Sequence, residues 1–187
     1  MQDIIRTFIA AEVPVEQKQK IDDAVAHLRD QFHLGWTRPA GWHLTLKFLG
    51  EISSKQVKTA TTVAQDIIGH IRPFTLRLGG WDASPNADKP RVLWLGACEG
   101  GDEFVGAAKQ LDSALGDHGF EREWRTTRPH LTLARARNGK GGAEAFQALS
   151  AVKLELDPFT IDRIVVFSSK LGRGGAQYES LAECPLG

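Results

Sequence analysis

The feature that most constrains the fold of this chain is a short strand-like phrase that occurs twice. In its first copy, residues 43–49, polar and apolar side chains alternate strictly, which is typical of a half-buried β-strand. Successive side chains of a strand point to opposite faces. The pattern therefore predicts that His43, Thr45 and Lys47 form a row on one face. The apolar residues between and beyond them, Phe48 included, are predicted to enter a core.

The second copy, residues 130–135, begins nearly half of the 187-residue chain further on. The same alternation places His130 and Thr132 on one face and predicts that Arg135 points to the opposite face. Each copy follows a strand and a helix, so the chain reads as a duplication. We expect an α+β fold of two similar lobes related by a pseudo-two-fold axis. Each lobe would hold a small, mostly antiparallel sheet with helices on its outer face, and a cleft would lie between the sheets.

Secondary structure is predicted from periodicity, capping residues and turn residues. Pro14 opens a first helix, and Ser53 with Gln56 forms a capping box for a second. A third helix is predicted over 104–115 and a short one around Phe146. The predicted strands cover residues 4–10, 43–50, 74–78 (ending at Gly79-Gly80), 91–97, 130–135, 161–167 and 178–184. We expect one bilobal domain over 1–187, with lobes built mainly from about 1–88 and 89–187. Exchange of terminal strands between the two lobes is compatible with this division.

Composition excludes several classes of protein. The chain has 23 basic and 23 acidic residues and a formal net charge of zero, which argues against a protein that coats long nucleic acid through many phosphate contacts. A local basic pocket for one phosphate remains compatible with this balance. Two distant cysteines do not form a disulfide framework, and no apolar run approaches a membrane span. We expect a cytoplasmic protein without a membrane partner, monomeric or weakly oligomeric.

Two histidines on opposite walls of a cleft suit displacement at phosphorus. One neutral imidazole takes a proton from the attacking oxygen and one protonated imidazole gives a proton to the leaving oxygen. The hydroxyls of Thr45 and Thr132 are placed to hold the non-bridging phosphate oxygens. The residues alone leave open which histidine is the acid. We find no strong metal motif in the sequence, so we expect neither a metal nor a cofactor.

The two phrases, His43–Leu46 and His130–Leu133, resemble the tandem motif of the two-histidine (2H) phosphoesterases. Within that superfamily the chain is similar to the RNA 2′,3′-cyclic phosphodiesterases, also called 2′-5′ RNA ligases. Further matching stretches are Arg6–Ala10, Pro73–Leu76, Arg128–Arg135 and Ile161–Tyr178. The resemblance implies metal-independent hydrolysis of 2′,3′-cyclic phosphate RNA ends to 2′-phosphate ends, with 2′-5′ joining as the reverse reaction. It also implies that His43 is the proton donor and His130 the proton acceptor.

Other basic residues are candidates for substrate binding. Lys47 continues the first row, while Arg125 and Arg128 approach the second, and each is equally compatible with a solvated surface charge. Arg173 lies in a glycine-rich segment that predicts a tight hairpin, with an RNA contact as the minority interpretation. One of the five tryptophans is also a candidate for base stacking. Alternative functions are an RNA-end binding module without turnover, or a phosphodiesterase acting on other cyclic or 2′-5′ linked nucleotides.

Overall fold

The computed structural model describes residues 3–172 and 175–187. Within them the chain forms nine strands and four α-helices. In chain order these are β1 (Ile4–Glu12), α1 (Val15–Gln31), β2 (Gly35–Trp36), β3 (His43–Ser53), α2 (Ser54–Ile68), β4 (Phe74–Ser84), β5 (Val92–Glu99), α3 (Gly101–Asp117), β6 (Leu131–Arg135), α4 (Gly142–Ser150), β7 (Phe159–Ile161), β8 (Arg163–Gly172) and β9 (Gly175–Pro185). None of these helices is long and apolar enough to cross a membrane.

The strands form two sheets, with orders β3-β1-β8-β9 and β2-β6-β5-β4-β7. Every pairing between neighbouring strands is antiparallel. The first motif strand, β3, lies in one sheet and the second, β6, lies in the other. The predicted α+β class with two antiparallel sheets is therefore confirmed.

The lobes are not continuous halves of the sequence. Strands β8 and β9, at the end of the chain, complete the sheet that β1 and β3 begin. Strand β4 from the first half pairs with β5 and β7 in the other sheet. We propose on this basis that the chain is one bilobal domain in which terminal strands are exchanged between the lobes.

Local sequence signals explain the main helices. In α2 the Ser53 hydroxyl accepts a hydrogen bond from the Gln56 backbone N–H at 3.3 Å, and the Gln56 side chain accepts one from the Ser53 N–H at 2.9 Å. This is the predicted capping box, which satisfies two otherwise unpaired donors of the first turn. In α1 the predicted apolar stripe is buried at Ile21, Val25 and Leu28. The buried apolar side chains of both lobes join in one core cluster.

The prediction for β4 was too short. It ended the strand at Gly79-Gly80, but β4 continues to Ser84 and pairs again with β5 from Trp81 onwards. The register shifts between Leu78 and Trp81, and Gly80 adopts a positive φ of 84°. The two glycines therefore form an irregularity inside the strand, a conformation that glycine allows at low cost, rather than a turn.

Both motif strands carry an extra residue that strict alternation does not anticipate. In β3, Thr45 pairs with Ala10 and Lys47 with Ile9, so Leu46 is inserted between two successive pairs. Such a bulge moves the side chains that follow it to the other face, here until a second extra residue, Leu49, restores the alternation. The prediction was therefore wrong for both residues that follow: Lys47 is buried at 3% exposure, and Phe48 is 43% exposed.

The same irregularity occurs in β6, where Thr132 pairs with Trp94 and Ala134 with Leu93, so Leu133 is the extra residue. Arg135 consequently pairs with Val92. Val92 and Trp94 are two residues apart on one strand and share a face. Arg135 therefore lies on the face of Thr132, and its predicted position on the opposite face is wrong.

Candidate active site

His43, the first residue of β3, is surrounded by aromatic rings. Its imidazole stacks on Phe8 of β1 at 4.6 Å between ring centroids. The ring of Tyr178, from β9, meets it edge-on at 5.1 Å, and Phe167 of β8 lies 6.3 Å away. Three strands of one sheet thus fix the orientation of this ring, and two of them come from the end of the chain.

This environment changes the basicity of His43. Burial lowers the pKa of His43 to about 4, from an ordinary 6.5. A hydrogen bond with the Gly41 backbone opposes this shift, whereas the charges of Lys18 and His130 add to it. The ring is therefore neutral near pH 7 without a ligand. The repulsion also shows that the two motif histidines lie within electrostatic reach of each other.

His130 is exposed immediately before β6. Its Nδ1 atom lies 2.9 Å from the backbone oxygen of Arg128. Because a carbonyl oxygen only accepts hydrogen bonds, Nδ1 must carry the proton, and the lone pair of the neutral ring is then on Nε2. The Trp94 ring meets the imidazole at 5.8 Å with an interplanar angle of 69°. The Gly41 backbone, which favours the charged form of His43, likewise lies two residues upstream of its histidine.

Thr37 connects the two motifs, and the sequence offered no signal for it. The Thr37 hydroxyl lies 2.7 Å from the Thr132 backbone oxygen and 2.9 Å from that of Leu133. It also accepts a hydrogen bond from the Trp42 indole N–H at 2.7 Å. Since Trp42 immediately precedes His43, this chain of hydrogen bonds ties the start of one motif strand to the middle of the other.

Thr45 and Thr132 are both half-buried, each two residues after its histidine. Thr45 pairs with Ala10 and Thr132 with Trp94, whose ring contacts His130. Each hydroxyl thus shares a sheet face with its histidine. Each motif therefore presents one imidazole and one neutral donor on the same face of its own sheet.

Lys47 does not belong to this set. Its Nζ donates to Asp112 Oδ1 at 2.6 Å and to the Glu121 carbonyl at 2.5 Å, with a Glu123 carboxylate oxygen at 3.6 Å. Burial would raise the pKa of Asp112, but the hydrogen bonds from Lys47 and the Glu123 backbone hold it below its usual range. Lys47 therefore anchors β3 to α3 and to the segment after it. Its predicted role in substrate binding is corrected, because the bulge turns it away from His43.

The other basic candidates have different surroundings. Arg125 stacks its guanidinium over the Trp124 ring at 4.0 Å. Arg128 is exposed and, with Trp94, lines a cavity of about 540 Å³. Arg173 lies outside the described residues. Within the described residues no group of three or more His, Cys, Asp or Glu side chains is arranged to hold a metal ion.

Comparison with known proteins identifies the family. A family model described as the 2′-5′ RNA ligase superfamily matches residues 14–173. The chain belongs to this superfamily. The resemblance to the two-histidine phosphoesterases, noted from the sequence, is thereby confirmed.

Curated relatives agree with this assignment. A Thermotoga maritima protein named RNA 2′,3′-cyclic phosphodiesterase is 28% identical over 184 residues, which cover 96% of this chain and 95% of that protein. A protein of the same name from Aeropyrum pernix is 30% identical over 170 residues, covering 85% and 93%. The prediction that the chain is an enzyme of this kind is confirmed by these relatives.

Solved structures show the same fold. E. coli LigT complexed with 3′-AMP superimposes with a TM-score of 0.77 at 24% identity, covering 98% of this chain and 99% of that one. A Thermus thermophilus protein gives a TM-score of 0.74 at 24% identity, covering 97% and 98%. At this identity the likeness establishes the fold and nothing finer.

Proposed function

We propose that this protein hydrolyses the 2′,3′-cyclic phosphate end of RNA to a 2′-phosphate end. The observation that carries the proposal is the pair of His-x-Thr motifs, whose imidazoles lie within electrostatic reach of each other. The names of the curated relatives support the substrate class.

In the proposed reaction a water oxygen attacks phosphorus and the bond from phosphorus to the 3′ oxygen breaks. His130 accepts the proton of the water at Nε2, the nitrogen left free when Nδ1 donates to the Arg128 carbonyl. His43 donates a proton to the departing 3′ oxygen. The products are a 2′-phosphomonoester and a 3′-hydroxyl, and each histidine ends with the protonation state that the other began with.

The two threonines complete the proposal. Hydroxyls of Thr45 and Thr132 donate hydrogen bonds to the two non-bridging oxygens and stabilise the charge that grows there in the transition state. Replacing either by valine keeps the shape and removes the donor. We expect each variant to lose about 10²- to 10³-fold in kcat, since one such donor contributes on this scale.

To act as the proton donor, His43 must carry a proton when the substrate is bound. With a pKa of about 4 in the unliganded protein, its ring carries no proton near pH 7. The negative charge of a bound cyclic phosphate opposes both the burial penalty and the repulsion from His130. The proton therefore arrives together with the substrate. The reverse assignment, with His43 as base and His130 as acid, predicts the same shape of pH profile.

The leaving group separates the two assignments. An aryl phosphodiester that releases 4-nitrophenolate needs no proton on its leaving oxygen. If His43 is the donor, the His43→Ala variant recovers much of its activity on this substrate, while His130→Ala stays inactive. The opposite pattern of recovery would reverse the roles.

The main experiment incubates an oligonucleotide ending in a 2′,3′-cyclic phosphate with the protein and excess chelator. Activity should persist, and His43→Ala and His130→Ala should each lose about 10²- to 10⁴-fold, the usual contribution of a general acid or base. His27→Ala, which changes an exposed histidine of α1, is the matched control. Wild-type rates in either motif variant would refute the proposal.

Product analysis addresses the finer alternatives. We propose that 2′-5′ joining is the same displacement with a 5′-hydroxyl in place of water: the 5′ oxygen attacks phosphorus, the bond to the 3′ oxygen breaks, and the same base and acid take up and supply the protons. A labelled cyclic-phosphate RNA, a 2′-5′ oligonucleotide and other cyclic nucleotides should be compared in one assay. Tight binding of all of them without turnover would favour the binding-module alternative. The cytoplasmic location and the monomeric or weakly oligomeric state remain predictions.

A further inference from the structure

One tryptophan differs from the other four. Trp124 is 81% exposed, in the segment between α3 and His130. The other four indole N–H groups donate hydrogen bonds within the protein, and these tryptophans are Trp36, Trp42, Trp81 and Trp94. A large ring held in water leaves apolar surface that a ligand can cover.

A second exposed ring lies beside it. Phe48 is 43% exposed because the bulge in β3 turns it away from the core. It pairs with Phe8, the residue that stacks on His43, so it lies on the sheet face that carries the site. Phe48 and Trp124 together line a cavity of about 270 Å³.

Each of the two rings carries a guanidinium. Arg6 lies over Phe48 at 4.6 Å from its centroid, and Arg125 lies over Trp124 at 4.0 Å. A flat ring next to a fixed positive charge is the arrangement with which proteins bind single-stranded nucleic acid, where bases stack on the rings and phosphates meet the charges. Two acidic residues also line the cavity, Glu121 and Glu123, and Glu123 lies 3.6 Å from the Lys47 ammonium.

We propose that the Phe48–Trp124 platform binds the nucleotides on the 5′ side of the cyclic phosphate in a single-stranded RNA. This inference rests on the proposed function of the histidine site. Because of the bulge, Thr45 and Phe48 pair with Ala10 and Phe8, which are two residues apart on β1, or about 7 Å at the rise of a strand. The occupant is therefore a neighbouring nucleotide, and not the one that carries the reacting phosphate.

The charge of the chain agrees with a short binding surface. With zero net charge, two local arginines contact about two phosphates. The logarithm of the affinity should then fall with the logarithm of salt concentration with a slope of about −1.4, as expected for a single strand. A slope several times steeper would contradict a platform of this size.

The test compares a 2′,3′-cyclic mononucleotide with a single-stranded tetranucleotide that ends in a 2′,3′-cyclic phosphate. The variants are Phe48→Ala, Trp124→Ala and Trp124→Phe. Val15→Ala, at a 75% exposed apolar residue of α1, is the control. For the tetranucleotide we expect KM to rise about 5- to 150-fold in each alanine variant, the contribution of one stacked base. On the mononucleotide, kcat and KM of every variant should stay close to wild type. Trp124→Phe and Val15→Ala should stay close to wild type on both substrates.

Equal losses on both substrates, or no loss on the tetranucleotide, would overturn the proposal. A change in oligomeric state of Trp124→Ala without RNA would also overturn it, because the ring would then serve contact with a second copy. A binding assay tests the platform even if the protein does not hydrolyse cyclic phosphates. It measures the affinity for a labelled, non-cyclic tetranucleotide by fluorescence anisotropy. In that assay the alanine variants should again bind about 5- to 150-fold more weakly.

Discussion

Replacing Lys47 by methionine tests whether this residue is a structural anchor or a substrate contact. Methionine keeps the unbranched length of the side chain and removes the ammonium. In the wild-type protein the Lys47 side chain is 2% exposed and that of Asp112 is 19% exposed. The substitution therefore leaves a largely buried carboxylate and the Glu121 carbonyl without their shared donor.

The magnitude follows from these contacts. A hydrogen bond to a charged group contributes about 1.5–3 kcal/mol, and two are lost. The apolar end of methionine recovers about 1 kcal/mol by burial. We expect a net loss of about 3 kcal/mol in the free energy of unfolding, within the range for breaking one half of a buried ion pair. For a chain of this length that corresponds to a fall in Tm of roughly 6–12 °C.

The assay is equilibrium unfolding in urea, with the free energy taken from midpoints at unchanged slope. The double variant Lys47→Met/Asp112→Leu removes the unpaired carboxylate as well, so it should be more stable than the sum of the two single changes predicts. A loss below about 1 kcal/mol for Lys47→Met, together with a raised KM, would refute the anchor and restore the substrate contact.

Three further predictions concern pH, the Thr37 connection and the α2 cap. The pKa of His43 is about 4 in the folded protein and about 6.5 in the unfolded chain, so the unfolded chain binds more protons between these pH values. The contribution of His43 to the free energy of unfolding is therefore fully present above pH 6.5 and falls by on the order of 3 kcal/mol towards pH 4. Urea titrations between pH 4 and 6.5 should show that the free energy of unfolding depends less on pH in His43→Gln than in the wild type. An unchanged pH dependence would contradict the lowered pKa of His43. Thr37→Val leaves the Trp42 N–H and the Thr132 carbonyl without their partner, so it should lower the free energy of unfolding by about 1–3 kcal/mol and also lower kcat. Thr37→Ser should keep stability and kcat close to wild type. Unfolding and steady-state assays measure the two effects. Ser53→Ala should cost about 1 kcal/mol by thermal unfolding without changing KM, and a neutral result would mean that the capping box contributes little.

Much of the fold was readable from local signals. Alternation located the motif strands, and the serine and glutamine at the start of α2 formed the predicted cap. Such signals lie in neighbouring residues, whose backbone preferences and hydrogen bonds do not depend on distant partners. The length of β4 escaped prediction, since Gly79-Gly80 is an ordinary turn signal unless a neighbouring strand resumes the pairing beyond it.

The histidines and threonines of the candidate site were also readable, because a repeated phrase identifies its own positions. The surroundings of those residues were not. Thr37 follows β2 and contacts the second motif strand 95 residues further along the chain, and Tyr178 reaches His43 from β9. Residues so far apart in sequence meet only after the chain has folded.

The residues just after each motif separate most clearly the local sequence signals from the effects of strand pairing. The sequence alone established two amphipathic strands with a histidine and a threonine on one face. The tertiary structure decided that Lys47 leaves that face and that Phe48 and Arg135 join it. The physical reason is that a bulge is a property of two paired strands. Which residue is extra depends on the register of the partner, and a single strand read by itself contains no register.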